Sequence, residues 1–528
     1  MHDPASSPAE FHDLPADVRA SPLFNADLAP VPRARRTWTT YNFAALWISM
    51  AHCIPTYMMA AGLLAAGMNW WQALLTIALG NTIVLAPILL NAHPGTKYGI
   101  PFPVLARASF GTSGANVPAL LRALVACGWF GIQTWIGGEA VKVFVVALWP
   151  AYERFGGDAT IVGAPLSSFV TFLVFWALNL WIIYRGMNAV RVFENWAAPL
   201  VLVMTAALLA WAWKTAGGFG PTLAQPSQFA TFGEFWPVFV PQLTAIIGFW
   251  ATLSLNIPDF TRFGRGQREQ MLGQVLGLPT TMLAFSAMGV FVTSAAHVIL
   301  AGSDPAKLWD PVFLLAQLTS STPPIGHAEP LIASAGLRWL VALLALFGVG
   351  VATLSVNIAA NVVSPANDFA NLAPRKISFR TGGLITGLIG IAMCPWKLLA
   401  SAGSYVFSWL IGYSALLGPI AGIMIADYWI VRRCELDAAD LYRVNGRYPK
   451  WNPVALIALV LGVLPNVPGF LHAAGWLADT KGLGVFVAIY PYAWFTGVAI
   501  AGLVYVVGSR FTASRGLPAP RSPRAAAD

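Results

Sequence analysis

The feature that most constrains this chain is a series of twelve long apolar stretches separated by polar loops. A membrane-spanning helix needs about 20 mostly apolar residues, and these runs are too continuous to be barrel strands. The sequence therefore predicts an all-α integral membrane protein with twelve transmembrane helices. The predicted spans are 41–64, 70–91, 117–149, 165–184, 196–213, 237–257, 275–300, 338–363, 382–396, 401–430, 452–472 and 484–508. The region 380–430 holds either two long helices or two helices and a re-entrant piece.

The composition excludes soluble, disordered and collagen-like chains. Hydrophobic residues make up 57% of the sequence and charged residues 10%, whereas soluble domains carry about 25% charged residues. The four cysteines form no CxxC or zinc-type pattern and are predicted to be buried. The sequence shows no phosphate-binding loop, nucleophile triad, acid–base carboxylate pair or metal cluster. We therefore expect neither an enzyme nor a bound cofactor.

The distribution of basic residues predicts the orientation of the chain. With the N-terminus inside, 24 of the 31 Lys and Arg residues fall on the cytoplasmic side and seven on the outer side. This bias follows the positive-inside rule and predicts that both termini are cytoplasmic. The net charge of +9 therefore reports topology and does not indicate a nucleic-acid partner.

The chain is expected to form one membrane domain between two tails. Residues 1–36 and 511–528 are rich in Pro, Ala, Ser and Arg and are predicted to be disordered cytoplasmic tails. The helical domain is predicted to consist of residues 37–510, divided into a first repeat (41–214), a second repeat (237–430) and two last helices (452–508).

Two predicted spans are interrupted near a proline, which removes a helical hydrogen bond. The first span is interrupted at Cys53 to Pro55 and the sixth near Asn256 to Pro258. Interruptions five spans apart indicate an inverted repeat with two broken helices, a pattern that places substrate and ion sites at the bilayer midplane. The alternative is two unrelated proline kinks.

Polar and aromatic residues at membrane depth mark a candidate site. Trp129 and Gln133 are four residues apart in the third span and share one helix face. The sixth span adds Phe249 and Trp250. Aromatic faces beside a carboxamide suit a flat heterocycle, because the rings stack on it while the amide hydrogen-bonds a carbonyl and an N–H of the heterocycle. The alternative is ordinary contact between helices and lipid.

The first and eighth spans carry further polar groups. Asn357 and Asn361 are four residues apart, and interhelical hydrogen bonding explains Asn357 well. His52 lies at the break of the first span, where a structural role and proton coupling are equally open.

Three acidic residues are expected to have structural roles. Glu139 and Lys142 are spaced to form an ion pair on one helix face. Asp259 is predicted to form a cap or a pair with Arg262, and Asp427 to behave similarly beside Arg432 and Arg433.

Several segments in order resemble the nucleobase:cation symporter-1 family of uracil, allantoin, hydantoin, cytosine and purine permeases, over about residues 25–510. The segments are Pro94 to Gly111, Trp129 to Trp135, Asn256 to Phe260, Asn357 to Pro365 and Leu417 to Tyr428. The resemblance implies a leucine-transporter-like fold of two inverted five-helix repeats followed by two extra helices.

The resemblance also implies a substrate site. Trp129 and Trp250 match the tryptophans that enclose the substrate ring in a bacterial hydantoin permease, and Gln133 and Asn361 match amides that bind its edges. Cys53 stands where that permease has a further Gln, so one amide is lost. Phe249 replaces a Gly and narrows the pocket. This resembles plant and fungal members more closely and favours uracil or allantoin over hydantoin.

A cation site is implied less completely. In the sodium-coupled relative it is formed by carbonyls and hydroxyls at positions that match Ser49, His52, Ala352, Ser355 and Val356. Val356 has no hydroxyl, so any Na⁺ site here is expected to be weak. His52 stands at a carbonyl-donating position with a titratable side chain, which favours coupling to H⁺.

The resemblance thus implies a symporter in the cytoplasmic membrane that imports uracil or a related heterocycle (allantoin, hydantoin or purine) with H⁺ or Na⁺. Its partners are then the small substrate and the lipid bilayer, with no nucleic acid and no obligate protein partner. The alternative is a substrate sensor on the same fold, but the short tails leave no room for a folded output domain. A tryptophan pair at the midplane argues against a channel.

Overall fold

The structure is a computed structural model that describes residues 14–185, 203–204, 206–219, 223–304, 307–401 and 403–513. Most of these residues are helical, since lipid forces every backbone group of a span to find its partner within the helix. A short hairpin of β1 (Thr160–Ile161) and β2 (Ala164–Pro165) is found in one loop.

Seven helices precede the hairpin or follow it directly. They are α1 (Ala16–Ala20), α2 (Thr40–Ala51), α3 (Ile54–Ala65), α4 (Trp70–Tyr98), α5 (Phe102–Phe110), α6 (Asn116–Leu148) and α7 (Leu166–Arg185).

The rest of the chain contributes fourteen named helices within the described ranges. They are α8 (Phe232–Phe249), α9 (Ala251–Asn256), α10 (Pro258–Thr261), α11 (Gln267–Ile299), α12 (Pro311–Thr319), α13 (Ala335–Asn361), α14 (Val363–Leu372), α15 (Phe379–Ala392), α16 (Pro395–Leu398), α17 (Ile411–Ile425), α18 (Pro453–Val463), α19 (Val467–Ala473), α20 (Gly484–Ile489) and α21 (Ala493–Ala513). Two π-helical segments, Ser404–Leu410 and Ala426–Val431, continue α17 at its two ends.

The helices follow the predicted spans closely. Within the described residues, nine helices or continuous helical stretches are long and apolar enough to cross a membrane, and the bent pair α2–α3 makes a tenth. The shorter α15 covers most of the predicted span 382–396. The predicted span 196–213 lies largely outside the described residues. For residues 380–430 the sequence left two arrangements of helices open. In the structure, α16 is a short helical segment and Ser404–Val431 is one long helix.

The predicted break of the first span is confirmed. Helices α2 and α3 meet at an angle of 62° around His52 and Cys53. Cys53 has an extended backbone (φ −140°, ψ 158°), and Pro55 lies in the first turn of α3, where its missing N–H leaves no bond unmade. The break therefore interrupts the span with irregular backbone at His52 and Cys53, which are both buried.

The sixth span is interrupted at two positions, one of them predicted. Helix α9 ends at Asn256 and α10 begins at Pro258, as the sequence indicates. Because Pro258 has no N–H, the Ser254 carbonyl one turn earlier accepts from Asn91 Nδ2 instead (2.7 Å). The second interruption was not predicted and lies at Trp250, between α8 and α9, where the backbone leaves helical geometry (φ −103°, ψ 7°).

Residues 14–36, expected to belong to a disordered tail, are instead folded against the helices. Val18, Leu28 and Val31 are buried. Side chains of the helical domain and its loops donate to carbonyls of this segment: Arg107 Nη2 to Leu23 O (3.2 Å), Arg262 Nη1 to Asp27 O (2.9 Å) and Tyr442 Oη to Leu28 O (2.7 Å). Buried apolar side chains and satisfied carbonyls explain why this segment is ordered. The predicted tail boundary at residue 36 is therefore wrong, and residues 1–13 and 514–528 lie outside the described residues.

Helix α6 lies at the centre of the fold. It packs against α7, α13, α14 and α15, and most of its middle is buried. Gly128 is required by this packing, because a Cβ there would collide with the Trp409 ring. The residues of α6 near Gly128 therefore face other helices and not lipid.

Candidate functional site

Helix α6 places an aromatic ring and a carboxamide on one buried face. Trp129 and Gln133 lie one turn apart, and both are buried. Gln133 is only 2% exposed, yet its Oε1 has no hydrogen-bond partner among the described residues. Buried polar atoms almost always have a partner, so an unpartnered carbonyl here is a candidate ligand-binding group.

Four aromatic rings surround the Trp129 indole edge to face. The ring centroids lie 5.2 Å away for Phe249, 6.3 Å for Tyr405, 5.8 Å for Trp409 and 6.3 Å for Tyr413, with interplanar angles of 71–87°. We call these five residues the aromatic box. Edge-to-face contacts are favourable and hold the rings in defined positions.

Phe249 contacts both predicted stacking tryptophans. Its ring lies 5.2 Å from Trp129 and 5.0 Å from Trp250, nearly perpendicular to each. Phe249 is therefore in edge-to-face contact with each of the two indoles. That it narrows a substrate pocket stays a prediction.

The Trp250 indole is held by contacts outside the aromatic box. Its Nε1–H donates to Asn81 Oδ1 of α4 (2.9 Å), and Trp47 of α2 lies edge-on at 5.0 Å. All three side chains are buried. The indole at this break is therefore held in one orientation by contacts with α2 and α4.

Asn361 is connected to α6 through Asn357. The Asn361 Nδ2 donates to Asn357 Oδ1 (3.0 Å), and the Asn357 Nδ2 donates to Thr134 Oγ1 and Asn179 Oδ1 (both 3.1 Å). Asn357 therefore joins α6, α7 and α13, which agrees with the interhelical role predicted for it. Asn361 lies at the end of α13, one turn further along.

Cys53 lies at the break between α2 and α3 and is buried. Its sulfur lies 3.3 Å from Thr56 Oγ1. Tyr405 of the box donates its hydroxyl to Pro55 O (3.4 Å), which links the box to this break.

The five candidate cation residues lie on helices that touch. Ser49 and His52 lie at the end of α2, and α13 packs against both α2 and α3. Ala352, Ser355 and Val356 are buried on α13. The His52 ring packs against Phe285 with centroids 4.3 Å apart. No cluster of three or more His, Cys, Asp or Glu suited to a metal ion occurs in the described part of the chain.

The predicted pair of Glu139 and Lys142 is not formed. Lys142 Nζ donates to Ser168 Oγ (2.9 Å), and Glu139 Oε1 has no hydrogen-bond partner within the described ranges. The Ser168 hydroxyl of α7 competes for the ammonium, so the sequence spacing alone was misleading.

The predictions for the other two acids are partly confirmed. Asp259 Oδ1 accepts from the Phe102 N–H (2.9 Å) and so caps α5, but Arg262 donates to the Asp259 backbone oxygen and not to its carboxylate. Asp427 does pair with Arg432 (2.8 Å), and its second oxygen accepts from Tyr505 Oη (2.7 Å).

Sequence reasoning missed Asn81, Trp47 and three aromatic residues of the box. Tyr405, Trp409 and Tyr413 are spaced four residues apart along the tenth predicted span. Such spacing on a helix indicates one aromatic face and was a usable signal. Nothing in the local sequence of Asn81 or Trp47 indicates the contacts they make with the sixth span.

Comparison with known proteins identifies the family. Residues 30–497 match the family model described as permease for cytosine/purines, uracil, thiamine, allantoin. The purine-uracil permease NCS1 of Arabidopsis thaliana is 44% identical over 92% of this chain and 77% of its own length. The allantoin permease of Bacillus subtilis (strain 168) is 43% identical over 92% of this chain and 93% of its own length.

Solved structures agree on the fold. The inward-facing conformation of Mhp1 is 25% identical, with a TM-score of 0.69 over 95% of this chain and 97% of that one. Mhp1 in a closed conformation with bromovinylhydantoin bound, described as a nucleobase-cation-symport-1 family transporter, is 24% identical, with a TM-score of 0.68 over 94% and 98%. The chain is thus a multi-pass membrane protein with the leucine-transporter-like fold of inverted repeats. It belongs to the nucleobase:cation symporter-1 family of permeases, which are transport proteins and not enzymes.

Proposed function

We propose that this protein is a secondary active symporter that imports a flat nucleobase-like heterocycle, with uracil favoured over allantoin, hydantoin and purines. It works in the cytoplasmic membrane with both termini inside and is driven by H⁺ in preference to Na⁺. The observation that carries the proposal is the buried, unpartnered Gln133 Oε1 one turn from Trp129 and the aromatic box.

The geometry suits a ring that has an imide or urea edge. Such an edge presents an N–H donor next to a carbonyl acceptor, and a Gln carboxamide can meet both at once. A buried polar atom without a partner costs about 1–3 kcal/mol, so a ligand N–H that reaches Gln133 Oε1 gains binding energy. The Trp409 Nε1–H is a second buried group without a partner among the described residues and is a further candidate donor to the ring.

The size of the site favours a single ring. Phe249 contacts both Trp129 and Trp250, so a ligand between the indoles has room only after this ring tilts. A monocyclic base such as uracil demands less displacement than a bicyclic purine. Two relatives above 40% identity are named as purine-uracil and allantoin permeases, which makes allantoin the first competitor to test.

The candidate cation residues favour a proton as the coupling ion. Sodium prefers a shell of oxygen ligands, and Val356 offers only methyl groups where the sodium-coupled relative is expected to offer a hydroxyl. His52 lies in the break beside these residues and can exchange a proton. Sodium coupling is the alternative that the transport assay must separate.

The first test is uptake of labelled uracil into proteoliposomes that contain the full-length protein. An inward proton gradient without sodium is expected to drive accumulation, and an ionophore that collapses the gradient should abolish it. Uptake that requires sodium and ignores the proton gradient contradicts proton coupling. Uracil binding without any uptake favours the sensor alternative. If uracil is neither bound nor taken up, allantoin and hydantoins are the next substrates to test.

The second test asks whether Gln133 binds the substrate. Gln133→Ala is expected to raise the KM for uracil roughly tenfold, since one hydrogen bond at a buried site contributes about 1–3 kcal/mol. Gln274→Ala is the matched control, because Gln274 on α11 is also buried, also has an unpartnered Oε1 and bonds only to Gln270 among the described residues. Equal KM values for the two variants would contradict the assignment of Gln133.

A further inference from the structure

A strongly basic cavity lies at the helix ends that the positive-inside bias predicts to be cytoplasmic. Its volume is about 560 Å³, and it opens between the segment before α2, the end of α4 and the beginning of α11. Four of its lining residues are basic and none is acidic. The basic residues are Arg33, Arg36, Lys97 and Arg265.

Two of the four basic groups are already bound to protein atoms. Arg36 donates to the carbonyls of Val31 and Thr96 (both 2.9 Å), and Lys97 pairs with Glu435 (2.9 Å). Burial, together with the nearby charge of Arg33, lowers the pKa of Arg36. Like charges gathered around one cavity repel each other, so an anion in the cavity would be stabilised by all of them.

The other two basic groups are available to a ligand. Arg33 and Arg265 are exposed, and neither forms an ion pair within the described residues. Gly266 and Gln267 at the start of α11 also line the cavity. The carboxylate of Glu269, in the first turn of this helix, lies beside Gly266 and offsets the positive end of the helix dipole, so the positive potential of the cavity comes from its basic side chains.

An apolar stripe runs from the cavity along α11. Gln267, Met271 and Val275 are four residues apart and therefore share one helix face. Met271 is 47% exposed and Val275 42%, and the neighbouring Leu276 is 57% exposed. An exposed apolar stripe on a membrane-spanning helix contacts the acyl chains of the bilayer.

We propose that this cavity binds a phosphate-bearing anion, and that its source is the headgroup of an acidic phospholipid whose chains lie along the α11 stripe. Basic pockets at the cytoplasmic ends of transmembrane helices have the right charge and position for such headgroups. The apolar stripe favours a lipid over free phosphate, because free phosphate has no acyl chains to pack along it. The site does not depend on which substrate the protein carries.

The test measures binding of phosphatidylglycerol, phosphatidylcholine and inorganic phosphate to the purified full-length protein by native mass spectrometry and thermal unfolding. We expect retention of phosphatidylglycerol over phosphatidylcholine. Each of R33Q and R265Q should weaken that binding about fivefold, since one basic group near an anionic headgroup contributes about 1 kcal/mol. Arg268→Gln, on the same helix but not lining the cavity, is the control and should change binding less than twofold.

The outcomes separate the two sources of phosphate. Protection by inorganic phosphate that is lost in R265Q, with no preference for phosphatidylglycerol, would retain the anion site and overturn its assignment to lipid. Phosphatidylglycerol binding that is unchanged in the double variant R33Q/R265Q would overturn the site itself. Equal melting temperatures of wild type and double variant without added lipid would exclude misfolding as the cause of a loss.

Discussion

Replacing Asn81 with alanine tests whether the Trp250 indole must be held in place for substrate to bind. The 2.9 Å bond from Trp250 Nε1 to Asn81 Oδ1 is buried, and no water can replace the lost acceptor without entering the protein core. A buried donor without a partner costs about 1–3 kcal/mol. The edge-on contact with Trp47 remains in the variant and retains part of the ring orientation, since such contacts contribute about 0.5–1.5 kcal/mol.

The expected effect on substrate binding is therefore a loss of about 1–2 kcal/mol, or a rise of roughly 5- to 30-fold in the KM for uracil. The maximal uptake rate of folded protein should change much less, because Asn81 positions a binding residue and contacts no substrate in this arrangement. Both constants can be measured in the proteoliposome assay and corrected for the amount of folded protein.

A double-mutant cycle separates positioning from general destabilisation. Trp250→Phe keeps an aromatic ring and removes the N–H, so it should abolish most of the effect of Asn81→Ala, with a coupling energy of about 1 kcal/mol or more. Asn466→Ala is the matched control, because Asn466 is also buried and also accepts a side-chain hydrogen bond, from Thr496 (3.3 Å). If Asn81→Ala raises KM no more than Asn466→Ala does, or if its effect adds fully to that of Trp250→Phe, the reasoning is refuted.

Two further predictions concern packing and pH. Gly128→Ala should push the Trp409 indole into the aromatic box and raise the KM for uracil roughly tenfold, because overpacking costs about 1–3 kcal/mol. Gly62→Ala is the control, because its added methyl group has no atom within 4 Å and should leave the KM unchanged. Burial raises the pKa of Asp310, which caps the loop helix α12 through Val312 N–H (2.9 Å), to about 6. The folded state therefore holds this proton more tightly than the unfolded state, and its contribution to stability is lost as the pH rises from about 4 through 6. Asp310→Asn keeps the cap and removes the titrating carboxyl group. In thermal unfolding, this variant should be more stable than wild type by up to about 3 kcal/mol at pH 8 and nearly equal to it at pH 4. A stability difference that is the same at both pH values would contradict this.

The sequence predicts most of the membrane helices because their physics is local. A span must satisfy its own backbone and face lipid with apolar side chains, so its position can be read from one stretch of sequence. The same holds for residues that share a helix face: Trp129 and Gln133 lie together because they are four residues apart. The break at Cys53 was also predictable, since Pro55 cannot continue the hydrogen bonds of α2.

Contacts between distant helices could not be predicted in this way. Asn81 meets Trp250 across 169 residues of sequence, and nothing in either span indicates the other. The segment before α2 looked disordered by composition, yet it is ordered by donors such as Arg107 and Tyr442 that lie far along the chain. Glu139 and Lys142 had the right spacing to pair, but Ser168 on a neighbouring helix takes the ammonium.

The sixth span shows where local rules stop at the site. Pro258 interrupts the helix as expected, with α9 ending at Asn256 and α10 beginning at Pro258. A further interruption lies eight residues earlier, at Trp250, where no proline is present and nothing in the local sequence indicates it. The Trp250 indole is held there by the bond from its Nε1–H to Asn81 and by the edge-on contact with Trp47. The Asn81 variant therefore tests whether this contact between distant helices is needed for the proposed binding site.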